Sequence, residues 1–116
     1  MNRKKGEDET TPGKLVNTSA GYELESAVAA NMAHPETFQI PSEEMRTGLC
    51  PGDSAKLLFN WINPDGTRQF APGERMWVLV VRSNNGIYQG VAENTAVYSS
   101  CIVAGETWVQ FSAANV

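Results

Sequence analysis

Two apolar runs meet at an Asn-Gly pair: Glu74-Arg-Met-Trp-Val-Leu-Val-Val-Arg82, then Ser83-Asn-Asn-Gly86, then Ile87-Tyr-Gln-Gly-Val91. A tight connection between two right-twisted strands needs a type I′ turn, whose two central residues take positive φ. Asn-Gly satisfies that demand, and apolar β-formers flank it on both sides. The segment therefore predicts a β-hairpin, and the chain a sheet protein. Within the first strand Met76, Val78 and Val80 fall on one face and Trp77, Leu79 and Val81 on the other. Apolar residues on both faces predict a strand covered on both sides, either central in a sheet or crossing a barrel.

Other segments carry the same period. Ser54 to Ile62 alternates Leu57, Phe59 and Trp61 with Lys56, Leu58 and Asn60, the pattern of a half-buried strand. Asn63-Pro64-Asp65-Gly66 predicts a turn, and Thr67 to Gly73 a polar loop. Thr107 to Ser112 reads as a last strand, with Trp108 and Gln110 opposite Val109 and Phe111. Tyr98 to Val103 is apolar without a clear period. Ala20 to Ala33 repeats Leu24, Val28 and Met32 at helical spacing, with Thr18 or Ser19 as a cap and His34-Pro35 as the stop. Thr37 to Pro41 is a short extended piece that offers Phe38 and Ile40 to a core edge. Ser42 to Thr47 predicts one helical turn, with a serine cap, acids in its first turn and Gly48 as its end. The expected fold is mainly β, of the α+β kind. It is a small SH3-like barrel or roll of four to five antiparallel strands with one N-terminal helix.

A chain of 116 residues has room for one domain. Residues 1–19 are charged and almost without apolar side chains before Leu15, which predicts a disordered tail ahead of a single domain over 20–116. No apolar run follows the basic start and none approaches the length of a membrane span, so the expected compartment is the cytoplasm and no membrane partner is expected. The net charge is −4, and from Ile40 onward seven acids stand against five bases. That balance argues against nucleic acid, since Arg68, Arg75 and Arg82 are too scattered for a phosphate-binding patch.

Chemistry-bearing clusters are sparse. His34, the one histidine, sits at a helix end, where it suits the last carbonyls better than a general base. Cys50 and Cys101 read as reduced thiols, with a bridge as the alternative in an exported protein, and with one histidine they do not make a zinc site. Cys50 has no base in the sequence to activate it. Glu74 and Glu93 are placed near the hairpin, either as a carboxylate pair or as solvated strand ends. The glycines have the wrong spacing to cradle a phosphate. No catalytic residue, metal or cofactor is expected.

The motifs as a set resemble a known family. Pro41-Ser-Glu-Glu44, Leu49-Cys-Pro-Gly-Asp53, Lys56-Leu-Leu-Phe59, Gly73-Glu-Arg-Met-Trp-Val78, Gly86-Ile-Tyr-Gln-Gly-Val91, Asn94 and Gly105-Glu-Thr-Trp-Val-Gln-Phe111 look like small bacterial proteins of unknown function. They resemble domain-of-unknown-function family 2314 over about residues 40–116. The chain departs from that pattern at Thr95, where a proline often follows the asparagine, and at Asn115, where a histidine often precedes the final valine. The resemblance implies a small β-rich cytosolic domain and no established reaction.

Aromatic residues carry the functional expectation. Trp61, Trp77, Trp108, Tyr88 and Tyr98 exceed what so small a core accommodates, so some are expected at a surface as binding anchors. The leading expectation is a non-enzymatic protein-binding module, an immunity or inhibitor protein acting on a toxin or defence enzyme. Trp77, Trp108, Tyr88 and Glu93 are its candidate contacts, and a basic partner is expected from the acidic balance. The alternative is a barrel that binds a small ligand or nucleotide, in which Trp77, Trp108 and Tyr88 stack on a planar anion neutralised by Arg75 and Arg82. For Trp77 itself the outer face must be covered by the N-terminal helix or by a partner. Helix coverage predicts that Trp77→Ala loses stability first.

Overall fold

The computed structural model describes residues 14–116. Six strands run in chain order: β1 (Leu15–Asn17), β2 (Tyr22–Leu24), β3 (Ser54–Trp61), β4 (Glu74–Asn84), β5 (Ile87–Ala92) and β6 (Trp108–Ser112). Two short helices, α1 (Ala27–Ala33) and α2 (Glu43–Thr47), lie between β2 and β3, and a single 3-10 turn over Ala113–Asn115 follows β6. Every strand pairs antiparallel with its neighbour in sequence, giving one sheet in the order β1-β2-β3-β4-β5-β6. The sheet curls until residues of β1 and β2 share a cleft with residues of β6, a nearly closed barrel. The mainly β fold of the sequence reading is present, with six strands in place of four to five.

The hairpin that fixes this arrangement is β4–β5. Asn85 and Gly86 take φ of 54° and 82°, the two positive values that the turn requires. Period two then sorts the side chains. Ala55, Leu57, Phe59 and Trp61 from β3 point inward with Met76, Val78 and Val80 from β4, Tyr88 and Ala92 from β5, and Val109 and Phe111 from β6. Ile102, in the loop before β6, is fully buried and plugs the same core. A bulge between Val80 and Arg82 breaks the β4–β5 register and bends the long strand around the barrel.

The N-terminal third differs from the sequence reading. Residues 1–13 of the expected tail lie outside the described residues, whereas Leu15–Asn17 forms β1 against Tyr22–Leu24. The helix expected over 20–33 is confined to Ala27–Ala33, and Ser26, not Thr18 or Ser19, caps it by accepting from the Ala29 N–H. Tyr22-Glu23-Leu24 is instead a strand paired with Trp61-Asn60-Phe59. Tertiary pairing overrides the helical spacing here: Leu24 is fully buried in the barrel, while Met32, its partner in the i, i+4, i+8 stripe, is 78% exposed. His34 closes α1 as its C-cap. The turn at Ser42–Gly48 forms as α2, with Ser42 accepting from the Met45 N–H.

On the outer side of β2 and β3 a polar cluster holds the 62–73 loop. Arg68 donates to Glu23 Oε2 from Nε and Nη2 (3.1 and 2.8 Å) and to Glu25 Oε2 from Nη2 (2.7 Å). Asn60 Nδ2 donates to Glu25 Oε2 at 2.7 Å, and Lys14 Nζ lies 3.5 Å from Glu23 Oε2. Partial burial works to lower the Arg68 pKa. Hydrogen bonds and charge from Glu23, then Glu25, more than offset it and hold the guanidinium above its ordinary value. The Glu23 side chain is 6% exposed, so it needs these donors. Arg68→Ala is expected to cost about 2 kcal/mol in urea unfolding. That lies below the range for a fully buried pair, because Arg68 is itself half exposed and Lys14 and Asn60 remain. An unchanged midpoint would mean that solvent already satisfies Glu23.

Candidate functional site

The outer face of β3 and β4 carries a groove of about 710 Å³. Cross-strand register builds its floor, because Lys56 pairs with Trp77 and Ser54 with Leu79. Its wall is the stretch from Gln39 through α2 to Leu49, which crosses the sheet after α1. Trp77 remains 43% exposed on this floor, with the Lys56 ammonium 5.5 Å from its ring centroid. Expected coverage by the N-terminal helix is therefore corrected: α1 is too short and packs against the 3-10 turn at the C-terminal end, and the groove borders α2 and its flanks instead.

Charge in the groove runs against the charge of the chain. Lys56, Arg75 and Arg46 line it, with Asp53 as the one acid. Arg46 donates to the carbonyls of Pro41 (3.0 Å) and Ala113 (3.1 Å), and the Arg75 guanidinium lies 4.2 Å from the Phe38 ring centroid. Asp53 is occupied by the Cys50 N–H at 2.8 Å. Among the described residues, ion pairs at 4.0 Å or less involve Lys14 and Arg68 and none of the three groove cations. An acidic protein thus presents one cationic, aromatic-floored groove.

The other expected contacts are placed as follows. Tyr88 is corrected to a core residue. It pairs with Phe111 on the inner face, with ring centroids 5.3 Å apart, and its hydroxyl donates to the Arg46 carbonyl at 2.9 Å. The alternation that puts Ile87 outward puts Tyr88 inward, and a carbonyl at the barrel end satisfies its O–H. Trp108 and Arg82 leave the Trp77 groove and line a second cleft of about 420 Å³ with Asn17, Tyr22, Gln89, Val109 and Gln110. Burial raises the Tyr22 pKa above its ordinary value, against a smaller lowering by the Asn17 side chain. Glu93 accepts from the Ser54 hydroxyl at 2.7 Å, and Glu74 accepts from the Val97 and Tyr98 N–H groups, both at 2.8 Å. Each carboxylate thus has its own structural task.

Three residues were missed from the sequence. Lys56 is identifiable only once the β3–β4 register sets it beside Trp77. Arg46 enters from a helix remote in sequence. Asn115, buried, accepts from the Ser112 N–H at 2.8 Å and donates to the Glu25 carbonyl at 3.1 Å, tying the 3-10 turn to the residue that follows β2.

For chemistry, the described residues hold no group of three His, Cys, Asp or Glu side chains arranged for a metal ion. His34 is exposed, and both cysteines are free thiols, Cys50 at its exposed turn. No described helix is long and apolar enough to cross a membrane. Comparison of the chain with protein-family models, with curated proteins and with solved structures gives no match.

Proposed function

We propose that this protein is a non-enzymatic protein-binding module that captures an acidic segment of a partner in the Trp77 groove. An immunity or inhibitor protein is one form such a module takes. One observation carries the reading: Trp77 stands half exposed beside Lys56, Arg75 and Arg46, cations whose described partners are carbonyls and rings. A tryptophan platform beside cations that have no carboxylate partner among the described residues suits a carboxylate-rich chain with an apolar anchor. The sign of the partner is the reverse of that expected from net charge, because local charge rather than the total meets the ligand.

The test uses labelled peptides of matched length, one rich in Asp and Glu around an aromatic residue and one with Lys and Arg in their place. The acidic peptide is expected to bind, more weakly as salt rises. Trp77→Ala is expected to weaken it about 30-fold, the equivalent of about 2 kcal/mol. The same variant is expected to lose no more than about 1 kcal/mol of stability, since a surface tryptophan forfeits little packing. Preference for the basic peptide would refute the reading, as would an unaltered affinity in Trp77→Ala.

A small planar anion is the second reading. The observation favouring it is the groove volume of about 710 Å³, which falls within the range of small-molecule sites. Quenching of tryptophan fluorescence by nucleotides, with the acidic peptide silent, would establish it in place of the first.

A further inference from the structure

Among the described residues β1 and β6 do not pair, and these two margins of the sheet border one cleft. We infer that the seam between β1 and β6 is a second binding site, one that takes an extended segment of another protein as an added strand. The inference goes beyond the Trp77 groove and uses none of its cations.

The phase of the ladders identifies the groups available. The Ala92 N–H donates to the Thr107 carbonyl at 2.9 Å, which sets the alternation along β5–β6. Two residues on, Val109 turns its backbone polar groups toward β5, as does Phe111, so those of Trp108 and Gln110 turn away from it. The Ser112 N–H, of the same outward set, accordingly reaches the Asn115 side chain and not β5. On the other margin, Ile62 N–H to Gly21 C=O and Glu25 N–H to Leu58 C=O set the phase of β2–β3. Tyr22 and Leu24 therefore face β1, Leu15 and Asn17 face β2, and Val16 turns outward. Among the described residues, the order of the sheet leaves both margins without a strand partner.

Between them lies the cleft of about 420 Å³, floored by Tyr22 and Val109 and bordered by Trp108, with Gln89 and Gln110 linked at 3.4 Å alongside. Main-chain donors and acceptors that no described strand takes up, within an amide-rich cleft, match the main chain of a peptide, and Trp108, 56% exposed, is placed to cover one of its side chains. In this alternating sheet β1 and β6 run in opposite directions, so an inserted strand is antiparallel to one and parallel to the other. The occupant is a single linear segment.

Hydrogen exchange and peptide selection together test this on the full chain. In the free protein the Trp108 and Gln110 amides are expected to exchange fast and those of Val109 and Phe111 slowly. Concentration-independent protection of Trp108 and Gln110 would place the chain's own N-terminal residues on the margin, and concentration-dependent protection would place a second copy there. Either overturns the proposal. Display selection of random linear peptides of about ten residues is then expected to enrich binders that protect both amides. Gln110→Pro removes a donor that points away from β5 and so leaves that ladder intact. It is expected to weaken the selected peptides about tenfold or more. Should Gln110→Pro fail to fold, peptides N-methylated at alternate residues carry the same test, in either phase, because both margins of the inserted strand are used. Failure to enrich any peptide, or binding indifferent to both changes, refutes the site. Success or failure here leaves the acidic-peptide test at Trp77 unaffected.

Discussion

Phe59→Ala is expected to cost about 3–5 kcal/mol and to lower the melting temperature by about 15 °C or more. Phe59 has no exposed surface and sits where β2, β3 and β4 meet, pairing with Leu24 on one side and Glu74 on the other. Its ring lies 5.2 Å from Tyr22 at 66° and 6.1 Å from Trp61 at 18°. Truncation removes both aromatic contacts and leaves a cavity that fixed strands cannot collapse. Against a typical total of about 5–15 kcal/mol, that is between about a fifth and the whole of the stability. Thermal and urea unfolding measure it. A shift below about 5 °C would mean that the centre of the barrel repacks freely.

The second large effect comes from adding one methyl group. Gly90 of β5 pairs with Val80 beside the bulge, and a Cβ built there meets the Leu79 carbonyl oxygen and Val78 Cγ1. The oxygen belongs to a hydrogen-bonded strand, so no rotamer change relieves the clash. Gly90→Ala is therefore expected to destabilise by about 3 kcal/mol, although alanine in place of glycine usually restricts the unfolded chain and helps. The readout is the urea midpoint together with loss of the β5 amide protection. Equal or greater stability would show that the backbone around the bulge gives way.

Strands β3 to β6 were legible because each is long enough for period two to show and because Asn85-Gly86 fixes the hairpin. The α2 turn was legible from its serine and glycine caps. The pair β1–β2 was not. Three-residue strands carry no measurable period, and Tyr22-Glu23-Leu24 runs into an alanine-rich stretch whose spacing suits a helix. Glu23 also reads as a surface residue, since the sequence does not show that Arg68 will lie over it. At the candidate site Trp77 was legible as a residue of the outer face of a long strand, but its expected cover, the N-terminal helix, lies elsewhere. The far wall of the groove was not legible, because it depends on how the chain between β2 and β3 crosses the sheet. Tyr88 was misplaced for a simpler reason: an aromatic on a strand could face either way until its partner strand put Phe111 beside it.

The order of the sheet also distributes the entropy of loop closure. Four of the five pairings join strands separated by short or moderate connections: residues 18–21, 62–73, 85–86 and 93–107. Only β2–β3 must close across residues 25–53, the longest loop and the costliest to tie off. The polar cluster stands at that joint. Glu23 and Glu25 on one side meet Asn60 and Arg68 on the other, and Asn115 reaches the Glu25 carbonyl from the chain's end. The buried charge that made β2 illegible thus lies where the chain needs a fastening most.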